Sequence, residues 1–308
     1  MRKTLVAVSF ATAALAVPTL AAAQAAAPAA DKPASPHTFT GNVGLFSQYI
    51  FRGLTQTNGK PALQGGVDYG HSSGFYVGTW GSNVSWFEET NVGTPAAPIS
   101  LASPGAAGAP FTANRFNNNN LEVDIYGGWK NTWGDWGLDV GLLQYWYPGT
   151  YDNLGGLFAK PNTLEGYIGG SWKWISLKYS HSFTNAFGVR DSRGSSYIDL
   201  SANVPIADSG FTLNLHVGHQ RFKGNSPVWA FSFPGGGAPN NSVLNYTDYK
   251  IGVTKEWVGL NWIAYYTSTN TKGQITAGTP PVAGAIWNNV YGKDIGRDTF
   301  TIAVQKTF

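Results

Sequence analysis

Along residues 39–84 apolar and polar side chains alternate with a period of two. In the run FTGNVGLFSQYIFRG, Val43, Leu45, Tyr49 and Phe51 share one parity, while Gly44, Gln48 and Arg52 share the other. After the polar stretch LTQTNGKP the alternation resumes, with Leu63, Val67 and Tyr69 set against Gln64, Gly66 and Asp68. A period of two predicts strands with one apolar and one polar face. A tight turn at 70–74 then leads into a third strand, GFYVGTWGSNV.

The unit of strand, long loop, strand and short turn repeats to the end of the chain. Further strands are expected over 121–130, 136–147, 164–172, 175–183, 195–204, 211–222, 246–257, 258–267 and 298–308. The connections alternate long and short without exception, the first long one being modest. A soluble sandwich would also alternate along its strands, but its loops would not sort into two sets. A transmembrane barrel requires the sorting, with short turns on the inside and longer loops outside. The fold class expected is therefore all-β: a transmembrane antiparallel up-and-down barrel of about twelve strands.

Two features of the pattern support a membrane setting. Trp129, Trp133, Trp136, Trp172, Trp174 and Trp257 lie at or beside short turns, where an indole belongs at a membrane interface. Trp86 and Phe87, at the start of the long loop 85–120, are expected at the membrane surface as well. In the last strand Phe300, Ile302, Val304 and Phe308 share one parity. A terminal aromatic in that register resembles the assembly signal of outer-membrane proteins. Lys306 departs from that signal, although at a rim its ammonium can snorkel towards headgroups.

The run Gly53-Leu54-Thr55-Gln56-Thr57, followed by Lys60-Pro61-Ala62, Gln64-Gly65-Gly66 and His71-Ser72-Ser73-Gly74-Phe75, resembles the opening of the TorF family of porin-like outer-membrane proteins. The specific likeness spans residues 43–86; beyond it the likeness is architectural. The resemblance implies an outer-membrane barrel with a diffusion function. It brings no known substrate and no catalytic residues.

The N-terminus and the composition refine the compartment. Met1-Arg2-Lys3, an apolar run to Leu20 and the small residues 21–25 make a Sec signal peptide, assigned to residues 1–23, with cleavage after Ala23 or Ala25. Residues 24–38, rich in Ala and Pro, are expected to be an extended periplasmic leader, and 39–308 the barrel. Charged residues make up 12% of the chain, about half the share of soluble domains. Glycine (39 residues) and aromatics (14%) are abundant, as suits a barrel belted with rings. Cysteine is absent, which excludes a disulfide framework and thiol chemistry. Of the net charge of +3, two units belong to Arg2 and Lys3, leaving +1 and no argument for binding nucleic acid.

The candidate chemistry lies on the inward faces. Arg52, Asp68, Glu122, Asp124, Lys130, Asp139, Glu165, Lys178, Asp199, Asp248 and Lys250 fall on the polar parity of spanning strands. Charge is tolerated there only in a lumen. These groups either line a wet pore and tune its ion preference or pair across it and plug it. Acids outnumber bases, so the expectation is a weakly cation-selective channel passing small polar or charged solutes by diffusion, with no cofactor, metal or catalytic residue. The expected partners are outer-membrane lipids, the barrel-assembly machinery and the solutes.

Two other readings compete with this one. A surface receptor or adhesin would use the long loops, in which Trp229, Phe231 and Trp287 are able to fold into the mouth. A membrane-embedded hydrolase would need a pair such as His181 and Ser182, but neighbours on a strand face opposite ways. By the same spacing His216 and His219 fall on opposite faces, and they are expected in the lumen and at the membrane interface respectively.

Overall fold

The computed structural model describes residues 35–89, 119–149, 159–226, 241–271, 275–277, 282–284, 287–289 and 291–308. Twelve antiparallel strands close into one barrel. They are β1 (His37–Phe46), β2 (Ala62–His71), β3 (Phe75–Asn83), β4 (Leu121–Trp133), β5 (Trp136–Trp146) and β6 (Thr163–Trp172). The second half comprises β7 (Ile175–Ser182), β8 (Ser196–Ile206), β9 (Phe211–Arg221), β10 (Tyr246–Trp257), β11 (Leu260–Thr269) and β12 (Thr299–Thr307). Each strand pairs with its neighbours in sequence, and β12 closes the ring against β1. The closing ladder runs to the last residue. The Gly41 amide donates to the Phe308 carbonyl at 2.7 Å, and the Phe308 amide donates back at 2.9 Å.

Alternation along the strands becomes an outside and an inside. Leu63, Val67, Ile125, Leu142, Ile168, Leu200, Ile251 and Ile302 all stand exposed on the outer wall. A charge at mid-membrane on that wall would cost about 2–4 kcal/mol. The outward charges Arg221, Lys255 and Lys306 stand at strand ends. The Lys306 ammonium reaches the Gly259 carbonyl at the short-turn rim, 2.8 Å away. Trp133, Trp136, Trp172, Trp174 and Trp257 are exposed around the same rim, with ring pairs Trp136–Trp172 and Trp257–Trp262 about 6 Å apart. The tryptophan girdle read from the sequence is there.

The barrel begins two residues before the expected boundary, at His37. The signal peptide and most of the leader lie outside the described residues, as do Trp229 and Phe231. Three expectations for the segments after β1 and β3 are corrected. The first strand stops at Phe46, not near Gly53. Tyr49 and Phe51 do not continue its lipid face; both are buried inside. Trp86 and Phe87 belong to a short helix, Trp86–Glu89, and pack inward: Phe87 is buried and the Trp86 ring meets Tyr147 at 5.8 Å. The common cause is that the β1–β2 connection, residues 47–61, folds into the lumen and carries its own apolar surface with it.

Candidate functional site

The inward loop is built around a miniature hairpin, in which Ile50–Phe51 pairs with Leu54–Thr55. Its two central residues, Arg52 and Gly53, have φ of 46° and 78°, the signature of a type I′ turn. Only glycine fits the second position. A Cβ on Gly53 would lie 2.5 Å from Asp248 Cβ and 2.6 Å from Thr269 Cγ2, so the tip is seated directly on β10 and β11. Local bonds hold the base of the loop: the Tyr49 amide donates to Thr57 Oγ1 (3.0 Å) and the Gln56 amide to the Tyr49 carbonyl (2.8 Å). Gln48 Nε2 ties it to the Phe300 carbonyl (3.1 Å).

Arg52 was expected on a strand wall. It stands instead at the tip of this loop, in the middle of the lumen, and is 4% exposed. Its guanidinium donates to both oxygens of Glu165, Nη1 to Oε1 at 3.1 Å and Nη2 to Oε2 at 2.7 Å. Nη1 also donates to Gln220 Oε1 (2.8 Å), and Nη2 lies 3.5 Å from the Tyr145 hydroxyl. The rings of Tyr197, Phe51 and Phe187 lie 4.2, 4.9 and 5.5 Å from the guanidinium carbon. Nearby, the Tyr49 hydroxyl donates to Glu122 (2.7 Å) and its ring packs against Trp80. Thus the loop bridges from β4 to β9 across the outer half of the barrel.

The other predicted lumen residues are all found on the inner wall, but they seldom pair with one another. Tyrosine hydroxyls satisfy most of the acids. Tyr126 donates to Asp68 (2.7 Å), Tyr76 to Asp139 (2.6 Å) and Tyr197 to Asp248 (2.9 Å). Asp199 accepts from Ser201 (2.6 Å). Between Asp199 and Asp248 sits His216, buried, with Nδ1 3.3 Å from Asp199 and Nε2 2.8 Å from Asp248. Both ring nitrogens facing carboxylates is the arrangement that an imidazolium fills with two donors. Asp124 is fully buried, and its carboxylate has no hydrogen-bond partner among the described residues. The same holds for the indole N–H of Trp80, which faces it in register across β3 and β4.

The three lumen lysines make no ion pair among the described residues. The Lys178 ammonium lies 3.9 Å from the Tyr167 ring centroid, Lys130 4.9 Å from that of Tyr76, and Lys250 5.8 Å from that of Tyr265. Several of these tyrosines nest over glycines on the neighbouring strand. The Tyr126 ring and the Tyr167 hydroxyl come within 2.5 Å of where a Cβ on Gly78 or Gly141 would be, and Tyr197 occupies the corresponding space at Gly218. The rings are thereby held along the wall.

His181 faces outward beside Tyr179, whereas Ser182 is buried and 3.3 Å from Glu165, so this pair does not meet. His219 is exposed beside Thr247, as its parity implied. Trp287 packs on Tyr246 in the mouth, with ring centroids 5.2 Å apart. Sequence reasoning did not identify Tyr145, Tyr197 and Gln220 as the seat of Arg52. Their inward parity was visible; the partner that reaches them from another part of the chain was not.

A family model described as "Bacterial protein of unknown function (Gcw_chp)" matches residues 30–308. The TorF likeness of residues 43–86 is not itself confirmed by this match. No curated protein matches the chain. Among solved structures, a KdgM porin is similar over 87% of this chain and 99% of its own, with 7% identity and a TM-score of 0.45. An outer membrane channel from Pseudomonas putida F1 covers 91% and 100%, with 9% identity and a TM-score of 0.42. An anion-selective porin from Comamonas acidovorans covers 88% and 99%, with 12% identity and a TM-score of 0.33. Likenesses this loose carry no argument about solute or selectivity.

Proposed function

We propose a function from one premise: the chain belongs to the Gcw_chp family of bacterial proteins, whose description leaves function open. It is an outer-membrane channel for passive diffusion of small polar or charged solutes, narrowed by its own loop 47–61. The observation that carries this reading is the pairing of an apolar outer wall with a charged lumen entered by a tethered loop. A barrel filled only for stability has no need of inward-facing ammonium groups such as Lys130, Lys178 and Lys250, which rest on tyrosine rings and make no ion pair among the described residues. Outer-membrane lipids surround the belt, and the terminal Phe308 is the handle for the assembly machinery.

A weak cation preference follows from the charge balance. Asp68, Glu122, Asp124, Asp139, Glu165, Asp199 and Asp248 face Arg52, Lys130, Lys178 and Lys250, and only Glu165 is ion-paired to one of those bases. A low-dielectric wall focuses the remaining negative excess on the passage. His216, when protonated, offsets part of that excess.

Purified barrel in planar bilayers tests both levels. Conductance steps above the protein-free control are expected, with a reversal potential in a salt gradient displaced towards cations. Asp68→Asn with Asp139→Asn should move that potential towards anions; these two are half-buried and reachable, unlike Asp124. Absence of steps removes the channel reading, and anion preference in the unmodified protein removes the selectivity reading alone.

A further inference from the structure

The groups that hold Arg52 form a complete receptor, and nearly all of it belongs to the barrel. Glu165 is on β6, Gln220 on β9, Tyr145 on β5 and Tyr197 on β8, with Phe187 in the connection between β7 and β8. Phe51 alone comes from the loop. The cage therefore stays assembled when the loop leaves it. Its shape is selective: two carboxylate oxygens and an amide oxygen lie opposite the two terminal nitrogens of a planar fork, with aromatic rings over the central carbon. An ammonium ion has neither the second nitrogen nor the flat face for such a site. Without Arg52, Glu165 would keep, among the described residues, Ser182 at 3.3 Å and Tyr145 at 3.5 Å, and no cation would lie in contact with this buried carboxylate. That state calls for a replacement charge.

We propose that this seat is a guanidinium-binding site, that Arg52 is its intramolecular ligand, and that the solutes it takes are small cations ending in a planar guanidinium or amidinium group. The inference rests on the channel reading, because the seat lies in the passage that loop 47–61 narrows. A solute of this class competes with the loop tip for its seat inside the lumen. Chemical complementation supplies the test. Arg52→Ala empties the seat, and guanidinium chloride at about 10 mM refills a site of millimolar affinity.

In the full barrel carrying R52A, guanidinium is expected to lower the conductance to about half or less and to raise the unfolding temperature at that concentration. Potassium or tetramethylammonium at the same concentration should do neither. Adding Glu165→Gln to R52A should remove both responses. Responses that tetramethylammonium reproduces, or that survive E165Q, overturn the proposal. If R52A does not form a heat-modifiable barrel, Arg52→Lys keeps the loop charge while leaving the fork unfilled, and the same comparison applies. A barrel that is stabilised by guanidinium but passes no current keeps the seat and discards the channel. One that conducts and ignores guanidinium discards the seat and keeps the channel.

Discussion

Glu165→Gln is the sharpest single change the lumen offers. It preserves the size of the side chain and one acceptor but removes the charge opposite Arg52. Both partners are nearly inaccessible, at 4% and 2% side-chain exposure, and their contact is bidentate. Breaking a buried pair by neutralising one member costs about 3–5 kcal/mol, because the other charge is left uncompensated. At about 1.4 kcal/mol per factor of ten, the ratio of seated to released loop falls roughly 100-fold to several thousand-fold. The bonds of Tyr49 to Glu122 and Gln48 to the Phe300 carbonyl stay in place, so the tip is released while the base remains tethered. Hydrogen exchange of the amides of residues 49–57 reads the release directly, and conductance should rise with it. The double variant Arg52→Met with Glu165→Met removes both charges at similar volume, and exchange in it should return most of the way to that of the unmodified loop. Unchanged exchange in E165Q, or faster exchange in the double variant than in the single, would refute the claim that this ion pair holds the loop.

Removing Phe308 deletes two backbone hydrogen bonds to Gly41 and the terminal aromatic, so heat-modifiable barrel in the outer membrane should fall several-fold; undiminished barrel on a gel would count against it. His216→Gln removes the imidazole that bridges Asp199 and Asp248 and that is a cation when protonated, and the reversal potential should move further towards cations, provided the variant still forms channels. Lys60 donates to Glu89 at 3.0 Å, a contact that raises the lysine's pKa, so the tether is present at neutral pH and is lost as pH climbs past the lysine range. Because the Lys60 side chain is 62% exposed, Lys60→Gln should cost less than about 1 kcal/mol by chemical denaturation at neutral pH.

Strand number, lipid face, lumen face and girdle were legible because each depends on a period of two and on turn length, both local properties. The inward loop was not, for a reason visible in its own residues. Alternation runs on through Tyr49 and Phe51, so a strand and a loop that buries every second ring in the lumen look alike. The distinguishing marks are the Arg52-Gly53 and Asn58-Gly59 pairs, all four residues at positive φ, which punctuate the run. Even these do not say where the loop goes. Arg52 finds Glu165 and Gln220 at separations of 113 and 168 residues, and no local pattern encodes that. The His216 clamp was half legible: parity faced it inward with Asp199 and Asp248, but only the register of β8, β9 and β10 brings the three together.

The nesting of tyrosines over glycines has a consequence for how such a channel changes its bore. Where Tyr126 lies over Gly78 and Tyr167 over Gly141, the free cross-section is set by what the neighbouring strand lacks as much as by the large residue itself. Adding one methyl at such a glycine has no room in the wall, so the ring must swing away from it into the passage. A substitution of the smallest size is thereby converted into a displacement of a whole aromatic side chain, and it also frees a hydroxyl from its acid, Asp68 in the case of Tyr126. Bore and lumen charge are geared together at these positions. Between two barrels of this design, a difference in what passes is to be sought first among their glycines.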